Sequence, residues 1–488
     1  ASVADNLEFV TYDEKDSTAT DDALTVNLEN RDENELFTMT TLTAAGIENI
    51  TINAEGGTQG DITITNFTAT SAESLTITGD ADLTLGTFGA NLETVSAGTS
   101  TGDLSLTMGA ADVTVTTGSG ADTIAMGTTL DGDDTITGGA GTDTLTVGAI
   151  NSTAIDLDLA IDGIERFSFT EAAASLSDAT FDFNGDVISR ITAVIDEDGD
   201  NTITFEDLGS GSINLVLSGA TGTANGDSIV IDRANDTSSD AVDIDITTSA
   251  SNDWASRLTL NDEETIDIDV TANEGISPMI FLDIDAGDAT TITFTNDDAW
   301  DAADILTISN NSIKAGAVID FTGYEQSIGD ALAAYETATG AEQVDTAAKL
   351  AGTAGFTATA ANAYTIKLGD NRDGNADHET VIDLGSSNAK TDTIQFVNSA
   401  SDTANNLGIV VINNFNDSSG SSAPDRSLLD LSAFSIETIS DLSFLALESS
   451  GGHDAVAISA TDTDDFVGSI ILSGVANTDL AAADFVFA

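Results

Sequence analysis

Cysteine is absent from the 488-residue chain, which excludes disulfides, thiolate metal sites and cysteine nucleophiles and is compatible with an exported protein stabilised by other means. Proline occurs only at Pro278 and Pro424, so sheet edges must be protected by charge and stacking, and an exposed edge is open to assembly. Basic residues are scarce: 12 Lys+Arg stand against 84 Asp+Glu, a formal net charge of -72 spread along the whole length. Such a chain disfavours nucleic acid, whose phosphates want the opposite sign. It also repels itself across a Debye length of roughly 8–10 Å, so folding calls for bound divalent cations or a saline medium. The histidines, His378 and His453, form no H-E-x-x-H zinc motif, and neither G-x-S-x-G nor a P-loop occurs. No catalytic set is therefore expected; carboxylate pairs of the glycosidase kind are uninformative among so many acids. No run approaches the roughly 18 apolar residues of a membrane span. The start, Ala1-Ser2-Val3-Ala4-Asp5, has neither the basic nor the apolar region of a Sec-type signal. Without an initiating Met it reads as processed or truncated.

What the chain does have is 41% hydrophobic residues and many Thr, Val and Ile, the makings of strands rather than of a disordered acid. The length suits roughly two to four domains or one long repeat array. From Ile47 an acid-then-strand unit recurs: Asp61-Ile62-Thr63-Ile64, Asp82-Leu83-Thr84-Leu85, Asp103-Leu104-Ser105-Leu106, Asp122-Thr123-Ile124 and Asp143-Thr144-Leu145, with Asp steps of 21, 21, 19 and 21. Between them lies a second strand: Ile50-Thr51-Ile52, Leu75-Thr76-Ile77, Val95 with its neighbours, and Val113-Thr114-Val115. A fixed period with two alternating strands per period predicts a solenoid whose coils bury a shared inner row. The fold class expected is all-β, with residues 46–150 as a right-handed parallel β-helix or β-roll.

Glycine concentrates at Thr117–Thr146, TGSGADTIAMGTTLDGDDTITGGAGTDTLT. Its end, Gly138-Gly139-Ala140-Gly141-Thr142-Asp143-Thr144-Leu145-Thr146, fits the calcium-binding nonapeptide G-G-x-G-x-D-x-U-x at every defined position. Two imperfect copies precede it, Gly118-Ser119-Gly120-Ala121-Asp122-Thr123-Ile124 and Gly132-Asp133-Asp134-Thr135-Ile136. The glycines allow positive φ and expose carbonyls, the Asp supplies a hard anionic oxygen, and the apolar residue points inward. One turn is half a site, and a neighbouring coil supplies the rest. Asp122 and Asp143 are expected to share one side, with Asp134 on the other; Gly118, Gly120, Gly132, Gly139 and Gly141 complete the candidate metal set. A single isolated copy reads equally as a Gly/Asp turn entering a strand. These copies resemble the RTX family of secreted bacterial proteins, and that resemblance implies several bound Ca2+ ions, at what the period makes the glycine-enriched end of the solenoid.

A second calcium candidate is Asp196-Glu197-Asp198-Gly199-Asp200-Asn201 onward to Asp207, which places acids at positions 1, 3, 5 and 12 of an EF-hand-like loop, with Asp196, Asp198, Asp200 and Asp207 as ligands. Asn201 stands where that loop has Gly, and Asp207 where it has Glu. Asp370–Asp377 is a weaker version carrying Arg372. The pairs Asp267/Asp269 and Asp283/Asp285 read as outward rows on strands. Residues 1–45 are taken as an N-terminal β segment, 151–322 as β-rich solenoid or sandwich, and 323–362 as a helical insertion, with Gln326–Leu350 rich in Ala, Glu and Gln and broken at Gly340. Residues 363–488 form a C-terminal β module. Its Val411-Ile412-Asn413-Asn414-Phe415, Leu428-Leu429-Asp430-Leu431, Ile470-Ile471-Leu472 and terminal Asp484-Phe485-Val486-Phe487-Ala488 resemble the C-terminal module of RTX proteins exported by type I secretion. The alternative there is an ordinary β cap.

Taken together, the chain is similar to the RTX surface-layer (S-layer) proteins of Gram-negative bacteria. The resemblance implies a secreted, extracellular, cell-surface structural protein that is not an enzyme, assembled with calcium into a lattice of identical subunits. The type I secretion machinery is an implied partner, and cell-surface polysaccharide a candidate one. Two alternatives use the same parts: an RTX adhesin or filament-forming matrix protein, and a β-helical polysaccharide lyase or hydrolase with an RTX tail.

Overall fold

The structure, a computed structural model, describes residues 10–13, 21–30, 36–56, 61–109, 112–150, 155–158, 160–171, 178–195, 202–219, 227–247, 254–271, 279–296, 305–324, 327–330, 353–354, 356–357, 364–368, 379–384, 391–397, 406–416, 427–449, 452–461, 467–475 and 478–488. Apart from the short 3-10 helices Ile439–Asp441 and Ala482–Asp484, the described regular elements are β-strands. They pair in parallel, coil on coil, as a β-solenoid. Two compact units divide the chain: 1–195 with 201–216 and 232–235, and 196–200 with 217–231 and 236–488.

In the first unit the inward residues of one sheet form a ladder, Met39–Ile64–Leu85–Leu106–Ile124–Leu145–Phe167–Ile191, each paired with the same place on the next coil. All of these are at most 2% exposed. A second sheet carries Leu24–Ile50–Leu75–Val95–Val115–Ile136–Ile161 in the same way. Each fully buried aliphatic or Phe side chain contributes about 1.5–3 kcal/mol, and a slip by one residue would turn a whole row to water, which fixes the register. The outward row beside it is Thr51, Thr76, Ser96, Thr116 and Thr137, hydroxyl residues, all but Ser96 β-branched, suited to a wet strand face.

The two strands per coil expected for residues 46–150 are present, and the same pairing runs further in both directions. Phe37–Ala45 pairs with Ile62–Thr68. Thr144–Ile150 pairs with Arg166–Glu171, and that with Arg190–Ile195. The glycine-rich coils thus lie inside a solenoid run, not at its end as the period suggested. From Ile155–Asp158 a third sheet begins, followed by Ala179–Asp182 and Thr202–Leu208.

The second unit repeats the principle with longer coils: Val242–Ile266–Ile292–Ile319–Ile366–Ile394–Leu429–Phe485 is its inward ladder. Of the two readings of 151–322, solenoid is therefore the one observed. The helical insertion is corrected at its start: Ser327–Asp330 is a strand, pairing in parallel with Ile305–Ile313, and residues 331–352 of that insertion lie outside the described residues. The unit ends in an antiparallel meander, Leu442–Ser449, Gly452–Ala460 and Val467–Ser473, whose last strand returns to parallel pairing with Asn406–Asn413. Among the described residues no helix is long and apolar enough to cross a membrane.

Candidate metal corner

Where six successive coils of the first unit turn into the first sheet, each delivers an acid: Asp61, Asp82, Asp103, Asp122, Asp143 and then Glu165. These carboxylates brace the backbone of neighbouring coils. Asp82 Oδ1 accepts the Asp103 N–H (2.8 Å) and Asp103 Oδ1 the Ala121 N–H (2.6 Å). Asp122 uses both oxygens, taking the Leu104 N–H at 2.8 Å and the Gly118 N–H at 3.2 Å. Asp143 Oδ1 accepts the Asp122 N–H at 2.7 Å, and Glu165 Oε2 the Asp143 N–H at 2.8 Å. Charge-assisted bonds of this kind are about twice as strong as neutral ones, and they satisfy corner N–H groups that the ladders leave over.

Burial sets the electrostatics. Asp122 and Asp143 are 1% and 0% exposed, and a carboxylate taken out of water is costly unless fully satisfied. Burial pushes Asp122 up against the opposing pull of its Leu104, Thr117 and Gly118 bonds. It pushes Asp143 up to about 6, with the charges of Asp122, Glu165 and Asp103 adding to the rise. Asp143 Oδ2 is buried and has no hydrogen-bond partner. Of the three motif acids it alone keeps an oxygen uncommitted.

Asp134 does not face the other two. It precedes Thr135–Thr137, a strand of the second sheet, and spends its oxygens on the Val113 N–H (2.8 Å) and the Asp131 N–H (2.9 Å). The charges that act on it, after burial, are those of Asp131 and Asp112. The structure thus brings Asp122 and Asp143 together, as expected, and puts Asp134 in a different corner.

Two glycines explain why the motif needs them. Gly139 has φ 91° and Gly141 φ 138°, conformations that a side chain disfavours. A Cβ on Gly139 would lie 2.2 Å from the Gly118 carbonyl oxygen, and one on Gly141 2.1 Å from that of Gly120. A Cβ on Gly118 would likewise lie 2.0 Å from the Ser100 carbonyl oxygen, and one on Gly120 2.4 Å from that of Gly102. Gly132 differs: nothing lies within 4 Å of its missing Cβ. A calcium ion asks for six to eight hard oxygens. Asp143 Oδ2 offers one uncommitted oxygen toward such a set, whereas both oxygens of Asp122 and of Asp134 already accept backbone N–H groups.

Of the EF-hand-like loop, Asp196, Asp198 and Asp200 lie outside the described residues. Asp207 sits in the Thr202–Leu208 strand with φ 53°, its carbonyl accepting the Gly185 N–H at 2.6 Å. The Asp370–Asp377 stretch also lies outside them. The Asp267/Asp269 row is outward, with Ile266, Ile268 and Val270 buried between, and the Asp283/Asp285 pair is met by Arg257 at 4.0 and 3.5 Å.

Sequence reasoning missed two features. In the second unit the carboxylate oxygens of Asp236, Asp240 and Glu264 lie within 4.8 Å of one another; the Asp240 N–H donates to Glu264 Oε2 at 3.0 Å, as the Asp143 N–H does to Glu165. An acid just ahead of a strand, matched one coil later, was the available signal. The other is an open groove of about 830 Å³ in the first unit, lined by Glu48, Glu73, Glu93 and Asp112 with Asn91 and Thr94.

No family model matches the chain, and no curated protein matches it.

Proposed function

We propose that this is a calcium-dependent, self-assembling extracellular structural protein, a surface-layer lattice subunit exported by type I secretion and without catalytic activity. The observation that carries the reading is the buried Asp143 carboxylate with one oxygen unpartnered, inside the one perfect nonapeptide. The net charge of -72 supports it as well, because stacked coils bearing that charge gain from bound cations. In a low-calcium compartment the acidic corners repel and the chain stays open enough to be exported. Outside, calcium closes the turns around Asp143 and Asp122, folding is coupled to binding, and further ions bridge the acidic faces of neighbouring subunits.

The test is to image the full chain by electron microscopy with calcium and then with chelator. Ordered two-dimensional arrays that dissolve on chelation are expected; arrays that persist unchanged without divalent ions overturn the mechanism. Filaments in place of arrays would favour the adhesin or matrix alternative. The groove lined by Glu48, Glu73, Glu93 and Asp112 favours a second reading, a polysaccharide lyase or hydrolase, because carboxylates facing a cleft are the groups that glycoside chemistry uses. Turnover in a panel of polysaccharides, abolished by Glu73→Gln, would establish it.

A further inference from the structure

Basic side chains are scarce in this chain, yet two of the 12 stand side by side. Arg166 and Arg190 are Cα partners on the adjacent parallel strands Arg166–Glu171 and Arg190–Ile195 of the first unit. Both are exposed, and among the described residues neither takes part in an ion pair. Neighbouring strands lie roughly 4.8 Å apart, so like charges face each other at one strand step, an arrangement that destabilises a sheet. The adjoining outward positions, Thr144, Ser168 and Thr192, are uncharged, and Glu165, next in the chain, spends Oε2 on the Asp143 N–H. The open groove of the same unit carries the opposite ladder at the same step. The Glu73 N–H donates to the Glu48 carbonyl at 2.9 Å and the Glu93 N–H to that of Glu73 at 3.0 Å, so these acids come one per coil along about 830 Å³ of groove. Glu73 and Glu93 are exposed, and their carboxylates accept no hydrogen bond among the described residues, whereas the first-sheet corner acids are tied to backbone N–H groups. Ser71, Asn91 and Thr94 add side-chain oxygens to the lining, acceptors for the further N–H donors of a guanidinium.

We propose that Arg166 and Arg190 of one copy dock into the glutamate groove of a second copy of this chain, one guanidinium on the Glu73 carboxylate and the other on that of Glu93. The inference rests on the assembly reading above and supplies one of its contacts, a direct one that uses no calcium. Opposite charge, equal step and groups left uncommitted on both sides favour this partner. A guanidinium meets a carboxylate in a planar two-bond fork, and bringing an anion between the arginines relieves their mutual repulsion. The arginine pair and the groove are different patches, so the contact is heterologous. A copy that has used its arginines still offers its groove, and copies can add one after another in a line. The competing occupant of the arginines is an acidic polysaccharide.

The experiment follows self-association of the full chain at fixed calcium by sedimentation velocity, with circular dichroism to check folding. The wild type should assemble, and less so as salt is raised, because exposed charges are screened. Arg166→Glu/Arg190→Glu should raise the concentration needed for assembly more than about tenfold, since like charges then meet in the groove. Glu73→Arg/Glu93→Arg should do the same. Mixing the two variants should restore assembly, because each offers the charge that the other's patch now needs. If a charge swap does not fold, Arg166→Gln/Arg190→Gln, which removes the repulsion within the pair, carries the test with a loss of the same sign. Arginine variants that assemble like the wild type overturn the proposal; if they also lose binding of polygalacturonate, the occupant is a polysaccharide. A mixture that stays apart overturns it as well, by placing the arginines on some surface other than the groove. A wild type that never self-associates in calcium overturns the assembly reading itself, and this contact with it.

Discussion

Two stretches of the first unit stand one after the other and are held differently. The glycine coils, 104–147, close around aliphatic and methionine side chains with no aromatic ring among them, such as Leu106, Val115, Ile124, Met126, Ile136 and Leu145, and bury three carboxylates, Asp122, Asp134 and Asp143, at their corners. The phenylalanine coils, 166–208, close around Phe167, Phe169, Phe181, Phe183 and Phe205, none more than 1% exposed. Their rings pack at centroid distances such as 5.0 Å for Phe167–Phe181 and 5.1 Å for Phe169–Phe181. A buried Phe removes about 150–250 Å² from water, so the second region is stabilised by contacts it carries in any medium. The first has a thinner core and charges that water would rather keep. Its stability should depend on what neutralises those charges.

The contrast breaks first under core truncation. Phe181→Ala should cost about 3–5 kcal/mol, by the same amount in calcium and in chelator, as read from denaturant midpoints; a loss that appears only without calcium would erase the distinction. Chelation should come next. A site held at a hundredfold excess over its dissociation constant contributes about 2.7 kcal/mol, and hydrogen exchange should show protection falling in 104–147 while 166–208 hold theirs. Uniform loss would mean one cooperative block. Smaller again is a pair of glycine changes. Gly139→Ala, strained at φ 91° and against the Gly118 carbonyl, should cost about 1–3 kcal/mol, whereas Gly132→Ala, with open space around it, should stay within about 0.5 kcal/mol. Equal losses in thermal unfolding would show that the glycines act by something other than stacking.

The sequence made the glycine coils readable because their length barely varies: with Asp82, Asp103, Asp122 and Asp143 nearly equidistant, periodicity alone yields the ladder. Beyond residue 150 the inward ladder is equally regular in space, but chain is inserted between its rungs. Ile319 pairs with Ile366 across a long excursion, and a fixed-period search cannot follow that. The strand at Ser327–Asp330 shows tertiary pairing overriding an alanine-rich, helix-favouring neighbourhood. The Asp122–Asp143 corner was legible because both motif and period select it. Asp134 was expected on the other side from that pair and lies there, ahead of a second-sheet strand; which backbone groups it would brace was not legible, because the motif does not say which sheet its strand enters. Glu165 was invisible, since its importance comes from the coil stacked on it.

The remaining effect concerns protons, and it discriminates by its sign and not by its size. In chelator, burial together with the charges of Asp122, Glu165 and Asp103 raises Asp143 to about 6 from an ordinary 3.8, so the folded chain holds that proton more tightly than the unfolded one. Stability contributed by the protonated group is then present below the unfolded value and is lost as pH rises from about 4 through about 6. Asp122 and Asp134, raised by burial in the same direction, add to the slope. Saturating calcium reverses it, because ion binding needs the carboxylate deprotonated: stability should rise with pH across the same window. Hydrogen exchange of Thr123–Gly127, paired with the strand that Asp143 immediately precedes, reads the glycine coils without the Phe core. Asp143→Asn should flatten both slopes there, the apo one in part and the calcium one more fully. A slope of one sign in both media would make Asp143 a structural acid that braces the Asp122 N–H and nothing more.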